Sequence, residues 1–171
     1  MAIYIEVTNT CVGKGKIYPL LGRRGKAVSV PQYKMILKNN SGSTRNFSVT
    51  RDTMDTIKGN LAGDRECPPN KSKIPYIGIS RRGGLKGFRI ELSEPGIPKQ
   101  GEAHGIRGLG KSIRYNMQIH LGPAKSEGCI LLKGWHRGRD AFEQTILRLI
   151  KEDKKHQQAC PDKIYVVIKK R

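Results

Sequence analysis

Glycine and proline interrupt this chain so often that most of its segments must be short. There are 20 glycines and 9 prolines in 171 residues. Glycine loses much backbone freedom on ordering and proline removes a backbone donor, so both collect in turns. The runs between them are rich in β-branched and aromatic residues. Ile3–Val7, Tyr33–Lys38, Asn46–Thr50, Tyr76–Ser80, Gly87–Leu92, Tyr115–His120, the apolar run after Cys129 and Lys163–Ile168 all read as strands. The turn cluster Asn39-Asn40-Ser41-Gly42-Ser43 predicts a hairpin between the second and third of these. Residues 55–73, with Pro68-Pro69-Asn70 inside, read as a long loop. Only one segment carries a helical period. Phe142, Ile146, Leu149 and Ile150 share a face, and Asp140 with Glu143 offers a capping box. Lys151, Lys154 and Lys155 sit in the last turns, and Pro161 stops the helix. The expected fold is mainly β (a β-rich α+β chain) with one packed C-terminal helix, in a single domain spanning residues 1–171.

Charge restricts the partners. With 33 Lys+Arg against 14 Asp+Glu the formal net charge is +19, which calls for an anionic partner or surface. Nucleic acid is the commonest such partner. However, the basic residues are scattered in groups such as Arg23-Arg24, Arg81-Arg82 and Lys169-Lys170-Arg171. Only 6% of residues are aromatic and none interleave with cations as a stacking motif. Bacterial envelopes are also polyanionic, so charge alone leaves both open. No apolar run approaches the roughly 20 residues of a membrane span, so stable membrane insertion is not expected. The first residues, Met1 to Val7, lack the basic and apolar regions of a signal peptide. The four cysteines, Cys11, Cys67, Cys129 and Cys160, form no CxxC pair and predict no zinc site; any disulfide pairing stays open.

The stretch that carries chemistry runs from Ile119 to Leu132. His120 ends one strand and Cys129 begins the next. A thiol nucleophile needs a nearby base, because the thiolate is the reactive form. Gly128 permits a tight turn, and the amides of Gly128 and Cys129 could form an oxyanion hole. Each residue also has a plainer reading. Cys129 beside an apolar run also has a reading as a buried structural thiol, and His120 as a strand-end imidazole bonded to its own turn; the Gly before the thiol, the Ser three before and the His nine before favour the nucleophile and its base. Ser126 serves either the substrate or the turn, and Gly122 reads as a backbone requirement in both cases. His104, beside Gly105, lines the cleft, replaces His120 as base, or is a solvated loop residue. His136 would suit an enzyme in which Cys precedes His. A zinc site from His104, His120 and Cys129 lacks a short ligand pair. Glu127 would raise a neighbouring thiol's pKa, so its side chain is expected to point away. Arg107, Arg114 and Arg137 are candidates to hold a substrate carboxylate, or are simply solvated.

The pattern His120-x-Gly122-x-x-x-Ser126-x-Gly128-Cys129-Ile130 resembles the catalytic signature of the L,D-transpeptidase (YkuD-like) family. It covers 11 of 171 residues. The His-to-Cys interval is shorter than in the common cell-wall enzymes. Glu127 stands where a His is usual, and Leu131 where an Arg commonly follows. These departures place the chain nearer the divergent branches, which include short phage proteins and type VI secreted effectors that attack peptidoglycan. The resemblance implies a β-sandwich or barrel-like sheet. It implies that Cys129 attacks the bond between the diamino acid and terminal D-alanine of a stem peptide, with His120 as base. The acyl group then passes to an amine, including D-amino-acid exchange, or to water, as in an L,D-carboxypeptidase. Ser126, Gly122, His104 and Arg114 would position the substrate, and no cofactor is implied. An antibacterial effector exported by a specialised system and active in the periplasm of target bacteria would also engage a secretion-machine component and an acidic immunity protein. The rival reading is a basic nucleic-acid-binding module whose His120 and Cys129 are structural.

Overall fold

The computed structural model describes residues 2–17, 27–52, 66–71, 74–84, 86–122, 129–154 and 163–171. The strands are β1 (Ala2–Ile17), β2 (Val28–Asn39), β3 (Thr44–Thr50), β4 (Tyr76–Arg81), β5 (Arg89–Ser93), β6 (Gly105–Ile106), β7 (Arg114–Tyr115), β8 (Gln118–Leu121), β9 (Ile130–Leu132) and β10 (Lys163–Ile168). The helix α1 is Trp135–Lys154. Eight strands close a barrel in the order β1-β10-β4-β5-β8-β9-β3-β2, while β6 and β7 form a separate two-stranded ribbon. The mainly β fold with one helix is thus as expected. The predicted hairpin is β2 against β3, antiparallel from Tyr33↔Val49 to Lys38↔Thr44.

Alternation fills the barrel. Along β1, Ile3, Ile5 and Val7 are buried while Tyr4 is exposed. Leu37 and Met35 of β2 lie opposite Ile5 and Val7 and are fully buried. Ile90 and Leu92 of β5, Ile119 of β8, Ile130 of β9 and Val166 of β10 complete the same core. Gly78 is needed in β4 because a Cβ there would come within 2.7 Å of Ile164 and 2.8 Å of Ile90.

Two pairs are parallel, β1 with β10 and β8 with β9; the other pairs are antiparallel. These directions define two barrel ends. At one, β2, β4, β8 and β9 finish and α1 seals the core. Phe142 packs on Phe47 at 5.5 Å and Phe88 at 6.0 Å, and Asn39, the last residue of β2, donates its side-chain amide to the carbonyl of Leu149 at 3.3 Å. At the other end lie Arg51, residues 66–71, Cys129 and the chain terminus at Arg171.

Two expectations change. The helix begins at Trp135, five residues before Asp140, after a turn in which Gly134 and Trp135 both have positive φ (97° and 52°). Asp140 therefore lies inside the helix and accepts from Arg139 Nε at 2.8 Å rather than capping the N-terminus. The run Tyr115–His120 is not one strand, because Asn116 takes φ 57° and separates β7 from β8. Of the expected 55–73 loop, residues 55–65 and 72–73 lie outside the described residues, as do Lys155, Cys160 and Pro161.

Because Phe142 bridges the helix to both aromatic neighbours and is fully buried, Phe142→Ala should lower the unfolding free energy by about 3–5 kcal/mol, measured by denaturant titration.

Candidate active site

His120 and Cys129 are placed by the parallel pairing of β8 with β9. The register is Ile119↔Ile130, His120↔Leu131 and Leu121↔Leu132. Ile119 and Ile130 point into the core and are fully buried. Gln118, His120 and Leu131 therefore take the outer face, beside Glu91, the β5 partner of Gln118. Cys129 immediately precedes β9, so continuing the register one step sets it level with Gln118. Two residues of rise along β8 and one strand spacing across put the His120 and Cys129 Cα atoms roughly 8 Å apart. Because the strands are parallel, the chain leaves β8 at the helix end of the barrel and re-enters at the opposite end.

His120 is buried, with Nδ1 2.8 Å from the carbonyl oxygen of Leu121. A carbonyl only accepts, so Nδ1 carries the proton and Nε2 keeps its lone pair. Burial, then the nearby Lys86 ammonium, push the pKa down to about 4; the Leu121 bond opposes the shift and Arg89 adds to it. The imidazole is thus neutral at neutral pH with a defined tautomer. Lys86 is itself held by Gln118 Oε1 at 2.9 Å, and Gln118 donates to Asn116 Oδ1 at 2.5 Å.

Cys129 is also buried, and its thiol faces the carbonyl oxygen of Asn116 at a sulfur–oxygen distance of 3.8 Å. The left-handed backbone at Asn116, which broke the predicted strand, presents this carbonyl. A second thiol, Cys67, is an electrostatic neighbour of Cys129; burial foremost, then Cys129, raise the Cys67 pKa.

The remaining candidates separate. A Cβ at Gly122 would lie 2.7 Å from Leu131 Cβ, and its carbonyl accepts from the Trp135 amide at 2.6 Å, which fits a backbone role. Ser126, Glu127 and Gly128 lie outside the described residues. His104 sits on the outer side of β5, where its amide donates to Glu91 Oε1 at 2.9 Å. Burial alone would raise the Glu91 pKa, but the His104 amide and Arg81 hold it below the usual carboxylate range. His104 is therefore one strand further round the barrel than His120. Arg114 in β7 stands instead near Cys67, at the barrel mouth. His136 and Arg137 are exposed in the first turn of α1, at the end of the barrel opposite Cys129, and Arg107 is exposed beside the mouth. Among the described residues no group of three or more His, Cys, Asp or Glu is arranged to hold a metal ion.

Sequence reasoning missed a polar cluster at that mouth. Arg51 is 1% exposed, and its guanidinium lies 5.6 Å from the Tyr33 ring centroid. Arg171 covers the same ring at 4.8 Å and pairs with Glu66 at 2.9 Å and Asp52 at 3.2 Å. Arg51-Asp52 reads in the sequence as an ordinary strand end. Nothing in its spacing places the terminal arginine beside it; that follows from β10 running parallel to β1.

The His120 shift has a stability consequence. Its folded pKa of about 4 lies below the ordinary 6.5, so between these values the unfolded chain binds more protons and stability rises with pH. The stabilisation is present above pH 6.5 and is lost as pH falls toward 4. Its full size is about 3 kcal/mol at 1.36 kcal/mol per pKa unit. Urea midpoints measured from pH 7 to 4 should fall more steeply for wild type than for His120→Gln.

No family model, no curated protein and no solved structure matches the chain.

Proposed function

We propose that the chain is a cysteine-dependent acyl-transfer enzyme of the L,D-transpeptidase type acting on peptidoglycan stem peptides. The observation that carries this reading is the buried neutral His120, its Nδ1 proton committed to Leu121, on the strand parallel and adjacent to the one that Cys129 immediately precedes. Such an imidazole can accept a thiol proton at Nε2. Cys129 sulfur then bonds to the carbonyl carbon between the diamino acid and the terminal D-alanine. The tetrahedral intermediate collapses with cleavage of the C–N bond, and the D-alanine amine leaves with the proton from His120. Water or a second amine attacks the thioester and restores the thiol. The resemblance of the His120–Ile130 pattern supplies the substrate class.

The +19 charge suits a protein that works among the anionic polymers of a bacterial envelope. On this reading it reaches the periplasm of target cells through a specialised export system, with an acidic immunity protein as cognate inhibitor.

Purified muropeptides incubated with the protein and read by mass spectrometry test the proposal. Wild type should release the terminal D-alanine or exchange it for an added D-amino acid. Cys129→Ala should abolish this, and His120→Gln should slow it by roughly 10²- to 10⁴-fold. No change across several stem lengths under reducing conditions, together with steeply salt-dependent binding of nucleic acid by both wild type and Cys129→Ala, would overturn the proposal in favour of the binding module.

A further inference from the structure

The mouth cluster encloses a cavity of about 780 Å³. Among the described residues its lining carries the cations Arg51, Lys111, Arg114, Lys170 and Arg171 against one carboxylate, Glu66, and Glu66 is already paired with Arg171. Arg51 is the unusual member. It is almost wholly buried, yet among the described residues its Nε and Nη1 have no hydrogen-bond partner. A buried guanidinium with open donors is unfavourable unless something satisfies it. Arg171 beside it disfavours its charge, the carboxylate of Glu66, which Arg171 shares, offsets this in part, and the Tyr33 ring offers only its π face.

We propose that this cavity binds the free carboxylate of a peptide, with Arg51 as its anchor. A guanidinium offers planar, directional donors that match a carboxylate. The cavity is far larger than one inorganic ion needs and falls in the range of small-ligand pockets. Pro68, Pro69 and Leu109 supply apolar wall, so the ligand has an apolar body as well as a charge. Cys67 lines the cavity and is the electrostatic neighbour of Cys129, which sets the pocket beside the thiol assigned above as nucleophile. The carboxylate of the terminal D-alanine, one residue from the bond to be cut, is the group this position would hold. That identification of the ligand rests on the function proposed above; the anion site itself rests on Arg51.

Calorimetry on Cys129→Ala, which cannot turn over, separates the two claims. The probes are an N-acetylated stem tetrapeptide ending in D-alanine and the same peptide as its C-terminal amide. The acid should bind at least tenfold more tightly than the amide. Arg51→Gln, shown to be folded by its thermal transition, should erase that preference. Lys170→Ala, an exposed change that leaves the core intact, should reduce it. If Arg51→Gln does not fold, the acid-to-amide ratio in Cys129→Ala and its response to Lys170→Ala decide. Equal affinity for acid and amide, or no detectable binding of either, overturns the site, as does a folded Arg51→Gln with the preference unchanged. Wild-type turnover without acid preference would leave the enzyme standing and remove this pocket. Acid preference without turnover would keep the pocket and remove the enzyme.

Discussion

The parallel hydrogen bonding of β8 to β9 is the interaction on which the candidate chemistry depends. Side chains alternate along a strand, so the register that buries Ile119 and Ile130 also commits His120 to the outer face. A one-residue slip would turn His120 into the core and expose an isoleucine. The same pairing sets Cys129 about two residues back along the neighbouring strand from His120. Its position, not its separation in sequence, decides what the thiol can reach. The barrel then protects this arrangement, since β8 is held on its other edge by β5 and β9 by β3.

The two barrel ends have opposite characters. The helix end is closed by aromatic and aliphatic packing, with the Asn39 side chain holding the last turns of α1. The mouth is held by polar bonds. Asn70 exchanges hydrogen bonds with Ile168 through both its backbone and its side chain. Glu94 takes the amides of Arg107 and Gly108 at 2.5 and 2.6 Å; these bonds, with Lys71, hold its pKa below the usual range although burial acts the other way. Gly108 adopts φ 50°, and a Cβ there would collide with the Tyr76 hydroxyl and the Pro69 carbonyl. Tyr76 Oη donates to Pro68 at 2.9 Å. These contacts fix the segment that carries Cys67, so the thiol and Arg51 face one preformed space. A chain of net charge +19 places the most deeply buried cation of its described residues at this point, where desolvation would ordinarily exclude it.

Strands were legible wherever β-branched residues alternated between turn residues, as in Asn46–Thr50 and Lys163–Ile168, because burial of one face imposes a period of two. The closure of the barrel was not legible. The pairing of β1 with β10 joins chain positions more than 150 residues apart, and no local pattern encodes it. The helix start was misplaced because Asp140 and Glu143 satisfy a capping pattern that a turn at Gly134 and Trp135 overrides. Cys129 and His120 could be picked out from their residue types and spacing. Arg51 could not, since only tertiary placement distinguishes a buried arginine from a solvated one.

The claim that Cys129 performs acyl transfer is tested most directly by intact-protein mass spectrometry of the protein quenched in acid during reaction with a stem tetrapeptide. Acyl transfer at Cys129 gives an adduct equal to the peptide minus D-alanine, mapped by digestion to Cys129, absent from Cys129→Ala and accumulating when water or amine attack is slowed. An adduct on Cys67, or release of D-alanine by Cys129→Ala at the wild-type rate, would contradict it.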